Sequence, residues 1–180
     1  MKHDSFVTEH FIDAGRFDLR PLRASDAGLI TLYCDDERVA KNTTDIPHPL
    51  PPGAAEGLIR RANDAQHAED VWAIDATRFG GAEIMGLIGL ERLDREQSEI
   101  GYWVAPPFWN GRVASEAVEA MLRANPHNAK TVFASVFQDN AASARVLTNC
   151  GFEYLGDAES FSVARNAKVP TWTYSYRCER

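Results

Sequence analysis

Between Gly101 and Val118 the chain changes its period. The strand-like run Gly101-Tyr-Trp-Val104 meets Pro106-Pro107, passes through the turn Trp109-Asn-Gly-Arg112, and continues as Val113-Ala-Ser-Glu-Ala-Val118 with helical spacing. A turn that enters a helix in this way leaves the first N–H groups without intrahelical acceptors. Those groups add to the positive end of the helix dipole, so the segment predicts an anion site suited to a phosphate or diphosphate.

The flanking sequence supplies a fold for that segment. Phe17–Leu22 reads as a first strand, followed by Ser25 as the N-cap of a helix with Leu29, Leu32 and Tyr33 on one face. Ile46–Pro52 is too rich in proline for either element and is expected as a loop beside a substrate entrance, with His48 an ordinary loop residue. Ala55, Leu58, Ile59 and Ala62 recur at helical spacing, and that helix fades near Gln66. Val71–Ala76, Ile84–Leu90 and Ser98–Val104 have strand composition and follow one another through polar or glycine turns, which predicts an antiparallel meander. The helix after the anion turn carries Ala114, Ala117, Val118, Met121 and Leu122 on one face and ends before Pro126. Thr131–Phe137 is a buried strand, and Asp139 or Asn140 caps a helix that buries Val146, Leu147 and Cys150 and closes at Gly151. Two strands within Phe152–Val163 and Thr171–Tyr176 complete the order. The expectation is a mixed α/β fold of about seven strands and about four helices, one domain over residues 1–180.

Composition removes several classes of function. A net charge of −7, with no Lys/Arg block interleaved with aromatics, argues against a nucleic-acid partner. Residues 1–10 lack the apolar stretch of a secretory signal, and no run reaches the roughly 18 apolar residues of a membrane span, so a cytoplasmic protein is expected. Cys34, Cys150 and Cys178 are widely spaced and odd in number, which fits reduced thiols rather than a disulfide framework or a zinc site. No Gly-x-Gly-x-x-Gly follows the first strand, which sets aside a dinucleotide-binding oxidoreductase.

Three stretches taken together carry a family resemblance: Glu99-Ile-Gly-Tyr-Trp-Val104, Trp109-Asn-Gly-Arg-Val-Ala-Ser-Glu-Ala117 and Asn140-Ala-Ala-Ser-Ala-Arg-Val-Leu-Thr-Asn-Cys-Gly-Phe152. With Leu19-Arg-Pro-Leu22 at the start, the chain resembles the GCN5-related N-acetyltransferases (GNAT), in particular the Rim-type branch that includes ribosomal-protein N-terminal acetyltransferases. The resemblance implies a mostly antiparallel, twisted sheet with a splay between the fourth and fifth of the expected strands, 98–104 and 131–137. It implies acetyl-CoA in that splay, with the pantetheine arm along the fourth strand near Val104 and the diphosphate on the amides of Asn110, Gly111, Arg112, Val113, Ala114 and Ser115. Asn140 and Ser143 stand where the family meets the cofactor arm. The acceptor would be a primary amine, either a small molecule or a protein N-terminal peptide, that attacks the thioester directly in a ternary complex of a monomer or homodimer, with no metal.

The chain departs from the family pattern in two places. Arg112 falls on the first glycine of the usual loop, so that either the turn keeps a conformation an L-residue can hold, with Gly111 absorbing some strain, or cofactor affinity is impaired, a loss that a guanidinium grip on phosphate would partly offset. Leu147 replaces a tyrosine acid that many relatives carry. Ser143 or water is then left as the proton donor. Glu99 is the first candidate base and Glu91 the second, while Tyr102 falls on the opposite face from Glu99 by strand alternation. The departures also define an alternative, an acyl-CoA-binding relative without turnover.

Overall fold

A computed structural model describes residues 11–179; the first ten residues, read above against a secretory leader, lie outside the described residues. Eight strands form one sheet: β1 (Ile12–Asp13), β2 (Asp18–Pro21), β3 (Glu69–Asp75), β4 (Gly86–Leu93), β5 (Gln97–Val104), β6 (Thr131–Phe137), β7 (Glu153–Ser162) and β8 (Ala167–Arg177). Five helices accompany them: α1 (Ala27–Cys34), α2 (Glu37–Ala40), α3 (Ala54–Ala62), α4 (Val113–Ala124) and α5 (Ala141–Asn149). The strand order is β1-β2-β3-β4-β5-β6-β8-β7, antiparallel throughout except for the parallel pair β5 and β6.

The expected order holds, with one strand and one helix added. The two residues of β1 are too few to show a period, and they form because Ile12 and Asp13 lie opposite Leu19 and Asp18. In the four-residue α2, Asp36 caps the first turn by accepting from the Arg38 N–H at 2.9 Å. Ser25 is not an N-cap: a 3-10 turn spans Ala24–Asp26, and the Asp26 carboxylate accepts from the Arg23 N–H at 2.7 Å. Nor does α1 bury Leu32, which is 63% exposed; Ile30 and Cys34 face inward instead. With apolar residues on every side of this helix, periodicity alone could not choose the face.

The sheet carries a core on each side. Under α4 and α5, Trp72, Ile74, Ile88, Leu90, Ile100, Val132, Ala134 and Val136 pack against Val113, Ala117, Val118, Met121 and Leu147. Under α1 and α3, Ala73, Ile84 and Leu87 meet Ile30, Cys34, Ile59 and Ala62. Arg20, fully buried on β2, crosses from one carboxylate to another: its Nε lies 2.6 Å from Asp75 Oδ2, and its Nη2 lies 2.8 Å from Asp26 Oδ1.

The parallel ladder positions the site. β5 and β6 pair only at Gln97 with Thr131, Ser98 with Val132 and Glu99 with Phe133, although β5 runs on to Val104 and β6 to Phe137. Each strand keeps its outer partner along its full length, β5 with β4 and β6 with β8. The sheet therefore opens like a V whose apex is at Glu99. Just below the apex His127 ties three segments together, with Nδ1 2.9 Å from Ser98 Oγ and Nε2 2.7 Å from Asp70 Oδ2.

Candidate functional site

A cleft of about 910 Å³ passes through the V and opens on both faces of the sheet. Of the residues singled out from the sequence, Glu91, Glu99, Val104, Asn110, Arg112, Val113, Ala114, Ser115, Asn140 and Ser143 line it. Gly111 is not among the lining residues, and neither is His48. Ile46, from the same proline-rich loop, does line the cleft, together with Asn42–Asp45 just before it.

At the wide end of the V, the turn before α4 is built with left-handed residues. Asn110 and Arg112 both have φ of 62°, whereas Gly111 is outside the left-handed region. The strain expected at Gly111 therefore falls on its two neighbours. A Cβ at Gly111 would lie 3.4 Å from the Phe108 carbonyl oxygen, an ordinary contact, so neither φ nor space demands glycine there. The N–H groups of Asn110 through Ser115 meet no acceptor among the described residues; the next one, of Glu116, bonds back to the Arg112 carbonyl at 3.0 Å. Six consecutive amides without a partner, at the start of a helix and beside the cleft, can coordinate an anion.

Along the α4 and α5 face, Tyr102 of β5 reaches across the V to α5. Its hydroxyl lies 2.8 Å from Ser143 Oγ and donates to the Ser143 carbonyl at 3.3 Å. Burial pushes the Tyr102 phenol well above its ordinary range, so it stays neutral and can serve as a donor. Asn140 is the N-cap of α5, its Oδ1 accepting from the Ser143 N–H at 3.3 Å, while Asp139 pairs with Arg165 instead. The Val104 carbonyl already accepts from Trp109 Nε1 at 2.6 Å, so a pantetheine amide aimed at that oxygen would compete with the indole.

The other face of the V is acidic. Glu69 lies opposite Glu91, and Glu91 opposite Glu99, so three carboxylates from β3, β4 and β5 share one face and line the cleft in a row. Neighbouring strands are about 4.8 Å apart, which puts the two ends of the row about 10 Å apart at the backbone. Burial, together with the Glu91 charge, raises the Glu99 carboxyl above its ordinary pKa. Glu69 is raised by burial, by Asp45 and by Glu91. Glu69 was missed in the sequence because it precedes the apolar run of its strand. The meander turns could have revealed it, since fixing the register of one hairpin pair fixes every other pair.

A mostly antiparallel sheet that opens at its parallel pair, with bare helix amides at the mouth and carboxylates at the apex, is the architecture of an acyl-group transferase. The family model described as "Acetyltransferase (GNAT) domain" matches residues 16–153. The chain belongs to that family. It is similar to the uncharacterized N-acetyltransferase p20 of Bacillus licheniformis, with 24% identity over 164 residues that cover 89% of this chain and 92% of p20. A GNAT-family acetyltransferase from Bacillus anthracis superposes with a TM-score of 0.80 at 20% identity, over 95% of this chain and 100% of that one. The ribosomal L7/L12 α-N-protein acetyltransferase RimL, solved in complex with coenzyme A, gives 0.79 at 13% identity over 93% and 98% of the two chains. A spermidine N-acetyltransferase from Vibrio cholerae, solved with CoA and spermine, gives 0.75 at 16% identity over 91% and 96%. At these identities the solved structures speak for the fold. Among the described residues no helix is long and apolar enough to cross a membrane.

Proposed function

We propose that this chain transfers the acetyl group of acetyl-CoA to a primary amine that carries additional positive charge, by direct attack in a ternary complex. The observation that carries the reading is the position of Glu99, at the last rung of the parallel ladder and in the same cleft as the bare amides of Asn110–Ser115. The diphosphate would take those amides, and the thioester would lie toward the apex. A carboxylate whose pKa is raised toward neutrality is a better base for an ammonium than an ordinary one. Glu99 takes the proton from the acceptor, the neutral amine attacks the carbonyl, and a β5 backbone N–H holds the oxyanion. As the C–S bond breaks, CoA leaves as a thiolate held by a hydrogen bond from the Ser143 hydroxyl, backed by neutral Tyr102. The thiolate takes up the second proton, lost from the new amide nitrogen, to become CoA thiol.

The acceptor class follows from the carboxylate row. Beyond Glu99, Glu91 and Glu69 continue across the sheet without a hydrogen-bond or ion-pair partner for their carboxylates among the described residues, so a second ammonium on the acceptor would find compensating charge there. CoA thiol release is to be followed with acetyl-CoA and a panel of spermidine, a simple monoamine and a peptide with a free N-terminus. Spermidine is expected to turn over with the lowest KM, and Glu69→Gln to raise that KM several-fold while leaving the monoamine unaffected. A preference for the monoamine would overturn the charge argument. CoA binding without turnover of any amine would favour the silent, cofactor-binding relative.

A further inference from the structure

The turn that follows β1, the strand that the sequence did not reveal, presents a side chain to the anion turn. β1 and β2 are joined by a tight turn in which the Ala14 N–H bonds to the Phe17 carbonyl at 2.9 Å and Gly15 takes a left-handed φ of 91°. Arg16 projects from this turn and reaches the loop before α4. Its Nη2 donates to the Gly111 carbonyl at 2.6 Å, and its Nε donates to Glu116 Oε2 at 2.8 Å. Glu116 lies on the first turn of α4, so one guanidinium grips both the loop and the helix it enters.

In a trans peptide the C=O and the following N–H point in opposite directions. Holding the Gly111 carbonyl outward therefore turns the Arg112 N–H the other way, and Arg112 lines the cleft. The turn needs such a hold, because Asn110 and Arg112 both occupy the left-handed region, which disfavours residues with a side chain, Arg112 more than Asn110. An unsupported loop would relax out of that conformation and scatter its amides. The Arg16–Glu116 pair is itself exposed on the Arg16 side, with 58% of that side chain accessible, so its direct contribution to global stability is small.

We propose that Arg16 is a positioning residue for the diphosphate turn: through the Gly111 carbonyl and Glu116 it keeps the amides that follow aimed into the cleft. The proposal rests on the reading of those amides as the cofactor's anion site. Arg16 acts through the backbone, and its effect should be confined to ligands that carry the diphosphate. Lysine cannot replace it fully, since a point donor satisfies one of the two acceptors where the guanidinium fork satisfies both.

The test compares wild type, Arg16→Ala and Arg16→Lys in three measurements: calorimetric affinity for CoA, NMR-titrated affinity for pantetheine, which lacks the diphosphate, and melting temperature without ligand. For Arg16→Ala the expected result is about a tenfold loss of CoA affinity, with pantetheine affinity unchanged and the melting temperature within about 2–4 °C of wild type. Arg16→Lys should fall between. Equal weakening toward CoA and pantetheine would mark a general structural role and overturn the proposal, as would unchanged CoA affinity. Wild type failing to bind CoA at all would sink the anion-site reading itself, a result distinct from either.

Discussion

Glu91 stands directly opposite Glu99 across the β4–β5 ladder, and its charge adds to burial in holding the Glu99 carboxyl above the ordinary glutamate range near 4.3. If Glu99 is the base, it works ionised, so kcat/KM should fall as pH drops through its raised pKa. Glu91→Gln removes the like charge and leaves the burial, which should move that acidic limb to lower pH without abolishing it. Glu99→Gln should lower kcat by roughly 10²–10⁴-fold, the usual worth of a general base. A pH–rate profile with an unmoved limb in Glu91→Gln would contradict the pairing as the cause.

Glu69 allows a stability test of the same row. Its pKa in the fold is raised by burial, Asp45 and Glu91, so ionising it is harder in the fold than in the open chain. Its contribution is fully favourable below the unfolded pKa and is lost as pH rises through the higher folded one. Glu69→Gln is thus expected to be more stable than wild type at pH 7, with the advantage gone near pH 4. Urea midpoints at the two pH values decide it, and equal differences at both would rule out ionisation as the cause.

Arg20 should be among the least tolerant positions. It is fully buried between Asp26 and Asp75, which are 1% and 5% exposed. Arg20→Met leaves two buried carboxylates without their cation and is expected to cost about 3–5 kcal/mol in chemical denaturation. A loss under 1 kcal/mol would mean that water replaces the guanidinium.

Arg112→Gly separates the backbone of the turn from its side chain. Removing Cβ at φ 62° should relieve about 1 kcal/mol of strain, partly offset by the freedom glycine gains in the unfolded chain. If the amides hold the diphosphate, CoA affinity should stay within about threefold of wild type. A much larger loss, measured by calorimetry, would assign the guanidinium a direct grip on phosphate.

Gly86 sits where β4 passes the far end of β5, and a Cβ there would lie 2.1 Å from the Trp103 carbonyl oxygen. Because the obstacle is backbone, Gly86→Ala must push the two strands apart, with an expected penalty of about 1–3 kcal/mol or more. A thermal melt that matched wild type would show that the strand end is looser than its packing indicates.

The sequence was most legible where local chemistry and burial agree. Gly151 reads as the left-handed residue that closes α5, and the structure gives it φ 91°. The meander 71–104 and the centre of the α4 face, Ala117, Val118 and Met121, followed from turn residues and apolar spacing, whereas Val113 and Ala120 are buried where Ala114 and Leu122 were expected. Three other features were out of reach for physical reasons. The orientation of α1 depends on which of several apolar flanks the sheet accepts, and β1 exists through pairing rather than pattern. At the turn before α4, glycine marked the site of permissiveness, yet the left-handed conformations went to Asn110 and Arg112, which the residue types alone did not reveal. The carboxylate row lay partly in view, as Glu91 and Glu99, but its third member needed the register.

With only three rungs joining β5 to β6, the molecule is two stiff leaves on a short spine. The inner edges of both leaves carry main-chain groups that no neighbouring strand takes up beyond Glu99 and Phe133. Any guest threaded between them would stitch the leaves along that margin, and its binding energy would count toward the integrity of the whole sheet. Resistance to unfolding should then climb with guest concentration, by about 2.7 kcal/mol at a hundredfold excess over Kd.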